Sequence, residues 1–168
     1  IMDFIQIDNK IEKSKKKEIP EINFEVKNKN CNIWMADLTY TQQQISSDVI
    51  PAAIGGIASF TMHNLKLENK IKLFKYPEKL AQELEKNNFP DIIGFSNYIW
   101  NKELSYSFAK NIKEMNPKTI IVFGGPNYPL TTDEQEKFLR EHPAVDFYIV
   151  REGEIAFANL ASELCNKG

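Results

Sequence analysis

Thr119-Ile120-Ile121-Val122-Phe123-Gly124-Gly125-Pro126 is an apolar, β-branched run that stops at paired glycines. A run of this kind is suited to burial on both faces, as in a parallel sheet covered by helices. The same punctuation recurs at Asp146-Phe147-Tyr148-Ile149-Val150-Arg151-Glu152-Gly153-Glu154, and Asp91-Ile92-Ile93-Gly94-Phe95-Ser96 is a further continuous apolar run. Glycine just past such a strand lets the backbone come close to a ligand. In open α/β sheets, ligands bind outside the carboxyl ends of the strands.

Working outward, strands and helices alternate from Cys31 onward. The pattern predicts strands at 31–38, 71–74, 91–96, 119–123 and 146–150. It predicts helices at 51–61, from Pro77, at 101–115, 132–140 and 154–164. Leu104, Phe108, Ile112 and Met115 form a helical stripe, and Ile155, Leu160 and Leu164 are expected to face inward in the last helix. Thr132 is the expected N-cap of the fourth helix, and His142, before Pro143, its C-terminal cap. The fold class is α/β: a doubly wound five-stranded parallel sheet of flavodoxin-like order 2-1-3-4-5. Its switch point falls between strands 1 and 3. Residues 1–30 read as an N-terminal extension with possible short strands at 4–7 and 22–26, and residues 31–168 as the Rossmann-type domain.

The bulk properties exclude several classes. A chain of 168 residues suits one well-buried domain. With 42% hydrophobic residues, 26% charged residues and a net charge of -2, it has no basic footprint for nucleic acid. The lysines at 13, 15, 16 and 17 are diluted by neighbouring glutamates and read as a solvated tail. No apolar run is long enough for a membrane span. The opening residues do not read as a secretory leader, and a start at Ile1 fits a segment of a longer protein. Cys31 and Cys165 leave one disulfide open, while such sparse cysteine usage fits a reducing cytoplasm.

Four loops should gather at the carboxyl edge. They begin at Asp37, Ser96, Gly124 and Arg151, and carry amides, hydroxyls and aromatic faces suited to a bulky, partly flat ligand. In chain order they read Asp37-Leu38-Thr39-Tyr40-Thr41-Gln42, Ser96-Asn97-Tyr98, Gly124-Gly125-Pro126 and Arg151-Glu152-Gly153-Glu154. This series resembles the cobalamin (B12)-binding domains at the N-terminus of B12-type radical SAM proteins, whose pattern is D-x-H-x-x-G, S-x-L and G-G. Thr39 stands where that family has a cobalt-ligating histidine, Gln42 where it has glycine, and Tyr98 where it has leucine.

The resemblance implies a cobalamin held base-off, without a histidine lower ligand, its nucleotide tail between strands 1 and 3. It places Thr39, Tyr40 and Gln42 near the corrin face or its amides and Ser96 at the nucleotide base. Gly124 and Gly125 would give room for the tail, with Glu152 and Gly153 along its far side. Asn97, Tyr98 and Pro126 are further candidate contacts. It also implies a downstream radical SAM catalytic domain carrying a 4Fe-4S cluster and S-adenosylmethionine. The chain itself has no C-x-x-x-C-x-x-C motif, zinc spacing or nucleophile–histidine pair. It therefore reads as non-catalytic alone, with no protein metal site.

An alternative is a degenerate domain that binds nothing and serves a structural or substrate-gating role. A flavodoxin-like FMN site fits less well, because Thr39-Tyr40-Thr41 lacks the glycine that admits phosphate. A phosphoacceptor receiver would need Asp, not Ser96, at the end of strand 3.

Overall fold

The computed structural model describes residue 24, residues 26–40 and residues 50–167. The elements run β1 (Ile33–Ala36), α1 (Ala52–Leu65), β2 (Lys72–Phe74), α2 (Pro77–Glu85), β3 (Ile92–Ser96), α3 (Lys102–Met115), β4 (Ile120–Gly124), α4 (Thr132–Glu141), β5 (Phe147–Ile149) and α5 (Glu154–Lys167). They form the expected sheet, all parallel in the order β2-β1-β3-β4-β5. The switch point lies between β1 and β3, as the order requires. The expected strand at 4–7 and most of that at 22–26 lie outside the described residues; Phe24 and Val26 pack against the α1/α5 layer.

Successive side chains of a strand point to opposite faces, and here both faces are buried. Trp34, Ile93, Phe95, Ile121 and Phe123 point toward α2, α3 and α4. Ile33, Met35, Ile92 and Val122 point toward α1 and α5. Each of these large side chains contributes about 1.5–3 kcal/mol when removed from water, which explains why the central strands carry almost no polar residue. Gly94 is the exception in β3. A Cβ there would sit 3.4 Å from the Phe157 ring, so the missing side chain makes room for α5.

The helical stripes differ in detail from the sequence reading. In α5 the buried line is Phe157, Ala158, Ala161 and Cys165, and Ile155 is exposed. In α3 it is Ser105, Ala109 and Ile112, and Met115 is exposed. Small residues took the inward positions because the helices lie close to the sheet; the larger neighbours sit at the flanks. Thr131, not Thr132, occupies the N-cap of α4, and its hydroxyl donates to the Glu134 carboxylate at 2.7 Å. His142 caps the other end, with Nδ1 2.7 Å from the Phe138 carbonyl. Pro51 stands at the N-cap of α1, one position earlier than expected.

The amino edge is pinned by side chains. The Asp91 carboxylate accepts from the Asn32 N–H, and the Asp146 carboxylate accepts from the Ile121 N–H, each at 2.7 Å. Cys31 and Cys165, both buried, form a disulfide with Cα atoms 5.6 Å apart, so the pairing that the sequence left open is made. Among the described residues, no helix is long and apolar enough to cross a membrane.

Candidate functional site

The ends of β1, β3, β4 and β5 deliver their loops to one edge. There the chain turns polar: Ser96, Asn97 and Asn101 are buried in an otherwise apolar neighbourhood. A buried polar group needs a partner, and these partner one another in two clusters.

The first cluster joins β1 to β3 across the switch point. The Ser96 hydroxyl donates to the Asp37 carboxylate at 2.5 Å. The fully buried Asn101 lies beneath, its Nδ2 2.9 Å from Ser96 Oγ, 3.3 Å from the Leu38 carbonyl and 3.4 Å from Asp37 Oδ1. Its Oδ1 accepts from the Tyr98 N–H at 2.8 Å. One amide thereby fixes both loops. Thr39 extends this arrangement through its N–H, which donates to the Lys75 carbonyl at 3.1 Å.

The second cluster joins β3, β4 and β5. Asn97 Nδ2 donates to the Asn127 carbonyl at 2.9 Å and to Tyr148 Oη at 3.1 Å; Tyr148 Oη donates to the Gly125 carbonyl at 2.9 Å. Burial pushes the Tyr148 phenol up to about 12, so it stays a donor. Gly125 has φ +125°, and a Cβ there would lie 2.8 Å from the Asn97 carbonyl oxygen. Glycine is required at 125 by this contact and this torsion. Gly124 is different: a Cβ there would meet Ile149 at ordinary contact distance, leaving space on its free side.

On the α1/α5 side, the loop after β5 turns through Arg151 at φ 69° and lays Gly153 on α1. A Cβ at 153 would lie 2.5 Å from Ile57 Cδ1. One turn further along α1, Thr61 Oγ1 is buried with no hydrogen-bond partner. Around the edge stands an exposed apolar rim of Tyr40, Ile99, Trp100, Leu130 and Val150. Tyr98 and Trp100 stack with ring centroids 4.4 Å apart and planes inclined by 6°.

Of the residues expected at the site, Ser96, Asn97, Tyr98, Gly124 and Gly125 come together; Thr39 bonds to Lys75 beside β2, Tyr40 is exposed, and Gly153 lies on α1. Pro126 and Glu152 are exposed at its margins. Gln42 lies outside the described residues. The sequence reading passed over Asn101 and Tyr148, the centres of the two clusters. An asparagine at a helix start was the available signal for Asn101. Tyr148 had none, since a tyrosine in a strand reads as packing. No group of three or more His, Cys, Asp or Glu suited to a metal ion occurs among the described residues. The histidines at 63 and 142 are both remote from the β1 loop in sequence.

Residues 33–161 match the family model of the B12 binding domain. A segment of the chain is 39% identical over 71 residues to the cobalamin-dependent radical SAM methyltransferase TokK of Streptomyces tokunonensis, covering 42% of this chain. A 74-residue segment is 38% identical to a 2-(S-pantetheinyl)-carbapenam-3-carboxylate methyltransferase of Streptantibioticus cattleyicolor, covering 44% of this chain. An uncharacterized methyltransferase of Pyrococcus horikoshii is 33% identical over 75 residues, or 45% of this chain and 16% of its own. The matched segments span only 10% of each of the first two relatives. With its parallel sheet, its switch-point cluster and this match over most of its length, the chain belongs to the B12-binding domain family.

Proposed function

We propose that this domain holds a cobalamin at its carboxyl edge, base-off and without a histidine beneath the cobalt, as part of a radical SAM methyltransferase. The observation that carries the reading is the switch-point cluster of Asp37, Ser96 and Asn101 beneath an exposed aromatic rim. A corrin is a large flat ring fringed with amides. The rim offers it apolar faces, and the loops offer amide and hydroxyl partners. Thr39 at the expected lower-ligand position brings no imidazole, and threonine is a poor cobalt ligand. The space beside Gly124 and the unpartnered Thr61 hydroxyl support a tail directed between the sheet and α1.

When bound, the cofactor would supply a methyl group for transfer. The chain's own part is to bind it, orient it and keep water from its lower face. Asn101 acts as a positioning residue by holding the loops after β1 and β3 at a fixed separation. The iron–sulfur cluster and S-adenosylmethionine belong to a downstream catalytic domain, for which the apolar rim is a natural partner.

A second reading, a domain that has lost the cofactor and serves as a structural or gating module, draws on the contact of Gly153 with Ile57, which brings the β5–α5 loop onto α1. One experiment separates the two. The chain is mixed with hydroxocobalamin, freed of excess ligand and examined by visible absorbance. Retained corrin bands are expected, with loss in Ser96→Phe; a colourless protein fraction favours the second reading. In the reduced Co(II) form, an electron paramagnetic resonance spectrum without nitrogen superhyperfine splitting is expected for the absent imidazole.

A further inference from the structure

The directions of the hydrogen bonds in the switch-point cluster follow from one another. The Tyr98 N–H can only donate, so the Asn101 atom facing it at 2.8 Å is the carbonyl oxygen and Nδ2 carries the protons. That nitrogen donates to Ser96 Oγ at 2.9 Å, with the Leu38 carbonyl at 3.3 Å for its other proton. Ser96 accepts there. Its single proton goes to Asp37 at 2.5 Å, because a carboxylate has none to give. Neighbouring N–H groups are spent as well: Asp37 donates to the Phe74 carbonyl, Thr39 to that of Lys75 and Asn97 to that of Gly124.

The cluster therefore offers a ligand acceptors and no donor. Ser96 Oγ keeps one lone pair. The half-buried Asp37 keeps its second carboxylate oxygen, which has no partner among the described residues. The Thr61 hydroxyl on α1 can donate or accept, so it does not discriminate. An N–H brought to these oxygens would make a charge-assisted bond. An acceptor or a methyl group brought there would leave them unsatisfied.

We propose that Asp37 is a specificity-determining residue, and that with Ser96 it selects a corrinoid whose lower base carries an N–H donor, as an aminopurine does. The proposal rests on the reading that the nucleotide tail enters between β1 and β3. The dimethylbenzimidazole of cobalamin has no N–H: one ring nitrogen is bonded to ribose and the other offers only a lone pair. The exocyclic amine of adenine can donate to the carboxylate.

Equilibrium dialysis against the purified protein, read by corrin absorbance, tests this with adeninylcobamide, cobalamin and cobinamide, which has no base. Adeninylcobamide should bind about ten-fold more tightly than cobalamin, as one hydrogen bond to a charged group allows. Asp37→Asn should abolish or reverse that preference. Whichever way the new amide turns, a donor reaches the ligand: its own NH2, or the Ser96 proton when the NH2 faces Ser96. The substitution is isosteric, and the thermal midpoint reports whether the fold is kept; the parent's ratio tests the proposal by itself. Cobalamin binding as tightly as adeninylcobamide overturns the proposal and leaves the corrinoid reading standing. Cobinamide binding as tightly as adeninylcobamide also overturns it, since the base then contributes nothing. An unchanged ratio in folded Asp37→Asn protein overturns the role of Asp37. Retention of no corrinoid overturns the underlying reading and the proposal together.

Discussion

The two faces of the sheet are built from different materials. Toward α1 and α5 the core is mostly aliphatic and small, with Ile33, Ala58, Ala158 and Ala161 and the paired cysteines around the buried Phe157 ring. Toward α2, α3 and α4 it is aromatic, with Trp34, Phe74, Phe95 and Phe123. Small residues let helices approach each other and the sheet closely, and α1 and α5 do lie against each other. Rings fill space in larger units and meet at set angles, so gaps remain where their edges fail to mesh. The α1/α5 face carries Gly94, Gly153 and the unpartnered Thr61 hydroxyl, and a cavity of about 430 Å³ opens on the α3/α4 side.

The sharpest way to break this contrast is Trp34→Ala. Trp34 is fully buried, stacks obliquely on Phe74 with centroids 5.0 Å apart, and its indole donates to Asn32 Oδ1 at 3.0 Å. Loss of about 3–5 kcal/mol is expected in urea denaturation. A loss below about 1 kcal/mol would mean that the aromatic face is not the stabilising one.

On the opposite face the covalent bridge should have the next largest effect. Replacing both Cys31 and Cys165 by alanine should cost about 2–4 kcal/mol relative to the oxidised chain. Reductant should lower the thermal midpoint of the parent and leave the double variant unchanged. Equal midpoints with and without reductant would show that the bridge does not form in solution.

Thr61→Val tests a smaller feature of the same face. Because the hydroxyl is buried without a partner, its removal should stabilise the domain by about 1 kcal/mol. Destabilisation would reveal a partner for that hydroxyl.

The smallest effect concerns the border of the aromatic face. The Lys72 and Lys86 ammonium groups hold the Glu83 carboxyl down at about 2, against an ordinary value of 4.5. A depressed carboxyl contributes stability that is present above its unfolded pKa and fades as pH falls toward 2. Glu83→Gln should therefore flatten the acid limb of a stability profile between roughly pH 5 and pH 2. An unchanged limb would mean that solvent screens the pair.

The same contrast explains what the sequence revealed. Ile120 to Gly124 and Ile92 to Ser96 were legible because strands buried on both faces have no polar beat, and the strand order followed from the alternation. Of the expected α5 stripe, Leu160 and Leu164 do pack on the core and Ile155 is exposed; the innermost positions are held by Ala158, Ala161 and Cys165, small residues that signal weakly. Ser96 and the two glycines were legible as loop chemistry. Asn101 and Tyr148 were not, because their roles depend on partners 64 and 23 positions away that only the folded edge assembles. Gly125 was read as room for a ligand; its close approach is to Asn97.

The disulfide has a topological consequence. Cys31 stands just before the first strand and Cys165 near the end of the last helix, 134 positions apart. Oxidised, that whole stretch is a covalent ring that encloses all five described strands and the loops of the carboxyl edge. A single proteolytic cut inside it, for instance beside the highly exposed Leu130, would open the ring without releasing a piece. The nicked domain should run as one molecule until reductant is added, and then as two.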